Sequence, residues 1–183
     1  MKCLERHRFK RTDDVLIVVL GEKIMQHWHG EELVSQLPVS HSRRPLSCQQ
    51  DSLGTPWGLH EVAEKHGGDQ PAGMVFKGRK PTGQRWQDLP ANDQTCLVTT
   101  RILRLRGLEP GLNYGPGVDS FDRYIYIHGT NHPDKFPENI SAGCLTMLDE
   151  PLIDLYEKIA EGSHVFILDE RRKTKDGEIL GCG

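Results

Sequence analysis

No apolar run in this chain exceeds six residues, Val15 to Leu20. A secretory leader needs an apolar core of ~7 to 15 residues and a bilayer-spanning helix needs ~20, so neither a signal peptide nor a transmembrane segment is visible. Paired cysteines are also missing. The five cysteines stand at 3, 48, 96, 144 and 182, an odd total at wide, irregular intervals. That pattern excludes a disulfide framework and leaves no C-x2-C pair for a zinc finger. It also gives no cysteine a close thiol neighbour along the chain. Excess charge is lacking as well. A formal net charge of -3 argues against a general nucleic-acid binder, and the basic cluster Lys2, Arg6, Arg8, Lys10 and Arg11 reads as a solvated tail. There is no internal repeat and no low-complexity tract.

What is present fits one well-filled domain. A chain of 183 residues that is 36% hydrophobic and 27% charged can bury a single core and is short for two. Val15 to Leu20 is a strand-like run ending at Gly21-Glu22-Lys23, with Lys23 to His29 as the returning arm of a hairpin and Ser35 to Ser40 as a further strand. Leu59 to Lys65 reads as strand or short helix. Glycines and prolines crowd residues 66 to 95, which predicts a long irregular excursion, with Trp86 read as buried packing. Cys96 to Leu105 and Arg123 to Ile127 read as strands, separated by a wide glycine-rich turn over 107 to 117. Asp149 fits a helix N-cap. Leu152, Leu155, Tyr156 and Ile159 then follow the i, i+3, i+4, i+7 spacing of one buried face. Gly162 ends that helix, and His164 to Leu168 reads as a final strand. The pattern predicts a mostly β domain, a sandwich or open barrel, with one helix following Cys144. Residues 1–14 and 169–183 are read as tails around a domain of residues 15–168.

One histidine and one cysteine stand in settings suited to chemistry. The run Tyr124 to Ile127 ends in His128-Gly129-Thr130, and further on comes Ser141-Ala142-Gly143-Cys144. A thiol is a good nucleophile only as thiolate and starts from a pKa of ~8.5 in water. An imidazole in reach can take that proton and later return it to a leaving amine. Gly143 lets the backbone turn tightly beside a substrate, so that the Gly143 and Cys144 amides can face a developing oxyanion, worth roughly 3 to 4 kcal/mol each. The Gly129 carbonyl, or the hydroxyls of Thr130 and Ser141, can fix the imidazole tautomer. Each residue alone is more often bland, the cysteine a small buried hydrophobe and the histidine a surface residue. Together, with glycines at 129 and 143, they read as a catalytic pair. Zinc ligation by His128, His132 and Cys144 is the competing chemistry, and it lacks a C-x2-C partner.

Strand-His-Gly-Thr followed by Ser-x-Gly-Cys-x-x-Met resembles the signature of the L,D-transpeptidase catalytic domain, the YkuD-like family. Thr55-Pro56-Trp57-Gly58 is similar to its TPxG segment, and Thr100 to Leu105 resembles the strand before the active site in one of its branches. The resemblance implies the family's mixed, β-sandwich-like fold and a two-step acyl transfer on peptidoglycan stem peptides, located in the periplasm or cell envelope. It implies attack by Cys144 on the diaminopimelate to D-alanine bond, with His128 moving the proton and the Gly129 carbonyl orienting the imidazole. Amides of Ala142, Gly143 and Cys144 receive the oxyanion, and Tyr126, Thr130, Ser141 and Arg123 face the substrate. Lys77, Arg79 and Arg123 are the candidates for meeting stem carboxylates. No cofactor is implied, and a carbapenem is expected to acylate Cys144. Two positions depart from the pattern: Ala142 replaces the usual histidine, and Thr146 replaces the usual arginine or asparagine. The alternatives are an L,D-carboxypeptidase, another Cys-His amide hydrolase, and a catalytically weak wall-binding module.

Overall fold

The computed structural model describes residues 12–90 and 95–169. The basic cluster of the expected N-terminal tail and most of the C-terminal one lie outside the described residues. Ten strands form one mixed sheet. The first three, β1 (Asp14–Val19), β2 (Ile24–His29) and β3 (Glu32–Pro38), make an antiparallel meander. On its other edge β1 runs parallel to β10 (His164–Leu168), so the last strand sits beside the first. β10 continues to β4 (Gly58–His66) and then to β7 (Thr99–Gly107), both antiparallel. At β7 the sheet forks. One branch leads to the hairpin of β5 (Met74–Lys77) and β6 (Lys80–Arg85), and the other to β8 (Tyr126–Gly129) and β9 (Leu145–Met147).

The alternation of apolar residues decides which face is inside. Leu16 and Val18 of β1, Leu103 and Leu105 of β7, Ile127 of β8, and Leu145 and Met147 of β9 point into one core. That core is closed by α1 (Asp149–Lys158), which buries Leu152, Leu155 and Tyr156. β7 is covered on both faces. Its Ile102 joins Met74, Phe76 and Tyr126 in a second, smaller cluster on the opposite side, and Cys144 and Val98 pack at its margin. Among the described residues no helix is long and apolar enough to cross a membrane.

The mostly β class with one helix after Cys144 is what the sequence predicts. Three local expectations are corrected. Residues 66–95 are not irregular throughout, because β5 and β6 form a hairpin there. Its turn places Gly78 and Arg79 at φ 53 and 66, the left-handed pair that suits a two-residue hairpin. β6 is exposed along its whole length, which is why Pro81 and Gly83 are tolerated in it. The strand expected over 123–127 begins only at Tyr126, because Tyr124 takes φ 56 and breaks the extended chain. Asp149 is the first helical residue and Leu148 the N-cap, with no side-chain capping bond. Leu59 to Lys65 resolves as strand, within β4, whose two neighbours β10 and β7 satisfy its backbone on both edges.

Candidate active site

The site is assembled on β8 and β9. These strands are parallel, with His128 level with Thr146, so Cys144, just before β9, falls level with Tyr126. Residues two apart share a face of a sheet, and Cys144 and His128 therefore emerge on the same side, away from the main core. Earlier parts of the chain hold β9 and the segment that precedes Cys144. Ser40 exchanges both backbone hydrogen bonds with Thr146, the Arg43 N–H donates to the Ser141 carbonyl at 3.2 Å, and Lys23 Nζ donates to the Pro137 carbonyl at 2.8 Å.

Cys144 is half-buried. The Tyr126 N–H donates to its Sγ at 3.4 Å, and the thiol lies 3.5 Å from the Tyr124 carbonyl, to which it donates. The positive φ at Tyr124 turns that carbonyl and the next-but-one amide toward the same sulfur. Desolvation pushes the thiol up to about 12, opposed by the Tyr126 N–H and the Arg123 charge. Cys96 adds to the rise, so the fold places near Cys144 a thiol that the spacing along the chain keeps far away.

His128 is buried, and its Nδ1 lies 2.8 Å from the Gly129 carbonyl. A carbonyl only accepts, so Nδ1 carries the proton and Nε2 the lone pair. Burial lowers this imidazole to about 4 despite that hydrogen bond. At neutral pH the pair is therefore thiol and neutral imidazole. No hydrogen bond joins Cys144 to His128 among the described residues, and the thiol is engaged with the Tyr124 carbonyl instead.

Gly129 is confined from the other side. A Cβ there would lie 2.7 Å from Thr99 Oγ1, 2.8 Å from Thr100 Oγ1 and 2.9 Å from Asp149 Oδ1. Thr100 has φ 68 at the β7 bulge, a conformation β-branched residues rarely take. Its hydroxyl donates to Asp149 Oδ1 at 2.5 Å and accepts from the Gly73 N–H at 3.0 Å. Trp86 Nε1 reaches Asp149 Oδ2 at 3.4 Å. Asp149, read from sequence as a helix cap, thus ties the helix start to β7 and to the 3-10 turn after β6, directly behind Gly129. An acid five residues after the cysteine was the one available signal, and capping explained it away.

On the cysteine side Gly143 has φ 124, and a Cβ there would meet Ile125 Cδ1 at 3.1 Å and the Gly54 carbonyl at 3.4 Å. Ala142 is exposed. Ser141 is buried and donates to the Cys144 carbonyl at 2.5 Å. Thr130 is buried too and accepts from the His132 N–H at 3.0 Å. Arg123 donates to the Ser47 carbonyl at 3.1 Å and the Gly54 carbonyl at 2.6 Å, bracing the loop against which Gly143 packs. The hydroxyl of Tyr126 accepts from Arg79 at 3.2 Å. The His132 ring Nε2 sits 3.0 Å from the Thr95 carbonyl.

A family model described as the L,D-transpeptidase catalytic domain, YkuD, matches residues 13–167. The chain belongs to this family. Among solved structures it is similar to an L,D-transpeptidase from Mycobacterium tuberculosis H37Rv, at 15% identity and TM-score 0.52, covering 86% of this chain and 58% of that one. It is also similar to L,D-transpeptidase 3 from Mycobacterium tuberculosis, at 15% identity and TM-score 0.51, covering 86% of this chain and 61% of that one. The chain thus spans less than two thirds of those proteins' length, and at such identities the likeness concerns the fold. No curated protein sequence matches the chain.

Within this L,D-transpeptidase domain the TPxG segment is held by a network that the sequence did not suggest. The Gly58 φ is 97, and the Leu59 N–H donates to the buried Glu109 Oε1 at 2.5 Å. Asn113 donates to the Trp57 carbonyl at 2.9 Å and the Leu59 carbonyl at 3.1 Å, and accepts from the Glu109 N–H at 2.9 Å. His60, also buried, bridges the Gly58 carbonyl and Ser120. Within the otherwise largely exposed glycine-rich turn over 107–117, the buried Glu109 and Asn113 are therefore the residues that hold the TPxG segment.

Proposed function

We propose that this domain is a peptidoglycan acyltransferase in which Cys144 attacks the carbonyl between diaminopimelate and the terminal D-alanine of a tetrapeptide stem. The observation that carries this reading is the parallel β8–β9 register, which sets the Cys144 and His128 side chains on one face with Nδ1 of the histidine committed to Gly129. His128 Nε2 takes the thiol proton as sulfur bonds to the carbonyl carbon, then gives it to the departing D-alanine nitrogen. The amides of Gly143 and Cys144, turned by the positive φ of Gly143, receive the oxyanion, with that of Ala142 beside them. Tyr126 faces the stem, while Thr130, Ser141 and Arg123 act through the backbone they hold. An acceptor amine then resolves the thioester, and water in its place gives L,D-carboxypeptidase activity. The substrate implies action at the cell envelope.

The purified protein, mixed with a diaminopimelate-containing disaccharide tetrapeptide and followed by intact mass, is expected to release D-alanine with formation of dimer or tripeptide. Cys144→Ala and His128→Ala should each abolish release, a loss of at least about a thousandfold. Activity retained in either variant refutes the mechanism. Binding without turnover by the unaltered protein favours a wall-binding module instead, the reading to which Ala142 and Thr146 lend weight.

A further inference from the structure

We propose that Arg79, at the tip of the β5–β6 hairpin, is a specificity-determining residue that reads a carboxylate on the acyl-donor stem, on a branch about one tyrosine side chain away from the carbonyl that Cys144 attacks. The inference rests on the acyltransferase reading above and names what that site selects.

The hairpin turn at Gly78 and Arg79 folds the Arg79 guanidinium back over β8. Its Nη1 donates to the Tyr126 hydroxyl at 3.2 Å, and its Cζ lies 5.6 Å from the centre of the Tyr124 ring. These are the two residues whose backbone holds the Cys144 sulfur, through the Tyr126 N–H and the Tyr124 carbonyl. A single residue therefore links the guanidinium to the reacting atom. Tyr124 is 55% exposed, so its ring presents an aromatic face to solvent beside the cation.

The charges around Arg79 do not cancel. Glu64 lies 3.8 Å from Arg79 Nε, but the same carboxylate takes both a 3.1 Å and a 3.3 Å hydrogen bond from Arg104 and a contact from His66 at 3.0 Å. Arg104 is buried, stacks 3.3 Å above the Phe121 ring and gives its other nitrogen to the Phe121 carbonyl. One carboxylate is thus shared by two guanidiniums, and Arg104 holds the better geometry. Arg79 is the outer partner, with its side chain 28% exposed and Nη2 bonded to no protein acceptor among the described residues. A planar guanidinium beside aromatic rings suits a planar carboxylate, which it meets through charge-assisted hydrogen bonds. Of the other two cations the sequence offers, Arg123 spends its nitrogens on backbone carbonyls, and Lys77 is exposed at the end of β5 without a contact to either tyrosine.

Calorimetric titration of the Cys144→Ala protein with two pairs of tetrapeptides tests this. In one pair the diaminopimelate side-chain carboxylate is free or amidated, and in the other the carboxylate of the preceding γ-linked glutamate is free or amidated. The free member of one pair is expected to bind about tenfold to a hundredfold more tightly, which identifies the carboxylate. Arg79→Gln in the same background should bring the affinity ratio of the two members to about one, and Arg79→Lys should restore part of the preference. A merely structural Arg79 would lower the affinity of both members alike. Equal binding within both pairs, no binding, or a preference that survives Arg79→Gln overturns the proposal. D-alanine release by the protein with Cys144 intact is read separately. A binding preference without release overturns the acyltransferase reading and leaves the role of Arg79 standing.

Discussion

At the scale of single residues, the site is electrically quiet before substrate arrives. Desolvation raises the Cys144 thiol and lowers the His128 imidazole, so both neutral forms are favoured and no resting ion pair is built. This differs from cysteine enzymes whose thiolate is pre-formed beside a cationic imidazole. Alkylation by iodoacetamide should therefore be slow at neutral pH and climb about tenfold per pH unit through pH 9. Intact mass measured after timed quenching reads this, with Cys144→Ala correcting for the other four cysteines, Cys3, Cys48, Cys96 and Cys182. A plateau below pH 8 would mean that a low-pKa thiolate exists at rest. Cys144 and His128 were legible as candidates because their flanking glycines are local. The thiol's partners were not, since Tyr124 and Tyr126 meet it only once β8 and β9 pair.

At the scale of elements, the active-site loop is rigid because of what lies behind it. Arg123 grips the Gly54 carbonyl, Gly54 backs Gly143, and the TPxG turn after Gly54 is fixed by Glu109 and Asn113. Asn113 is fully buried, with three hydrogen bonds to backbone groups. Asn113→Ala would remove the side-chain acceptor of the Glu109 N–H and the amide donor to the Trp57 and Leu59 carbonyls. The expected loss is about 2 to 5 kcal/mol in a urea titration. A loss under about 1 kcal/mol would show that water or relaxation replaces these bonds. The sequence signals for this turn, glycines and prolines over 107–117, indicate irregular backbone. They carry no information on whether that backbone is solvated or buried, and its partners lie some fifty residues away. The same limitation hid the β5–β6 hairpin, whose exposed edge strand has neither period-two burial nor strand-forming composition.

At the scale of the whole molecule, stability should depend on pH with one sign across the acid range. His60 and His128 are both buried and both lowered to about 4 from 6.5, chiefly by desolvation. Between those values the unfolded chain binds protons that the folded protein refuses. Stability is then complete above pH 6.5 and is lost as pH falls toward 4, at up to about 1.4 kcal/mol per pH unit for each histidine. Asp14 and Glu64 extend the loss below that. Burial acts against them, but His27 and His29 on one, and His66 and Arg104 on the other, hold both carboxyls under 3.8 and 4.5. Urea unfolding followed from pH 7 to 4 should show the decline, to which His164, also lowered by burial, adds, and His60→Gln should make its slope shallower, whatever it does to stability at pH 7. A flat profile would require both imidazoles to be hydrated in the folded state.

The strands with an apolar period, the amphipathic helix, the mostly β class and the candidate pair His128 and Cys144 followed from the sequence alone, because periodicity and short motifs are properties of neighbouring residues. Tertiary structure alone decided which nitrogen of His128 is free, what surrounds the Cys144 thiol, that Asp149 locks Thr100 instead of capping a helix, and which of Lys77, Arg79 and Arg123 reaches the side chains of Tyr124 and Tyr126. Each of these depends on contacts between segments far apart in the chain. Burial, which sets both the hydrogen-bond partners and the protonation of these groups, exists only once those segments have met.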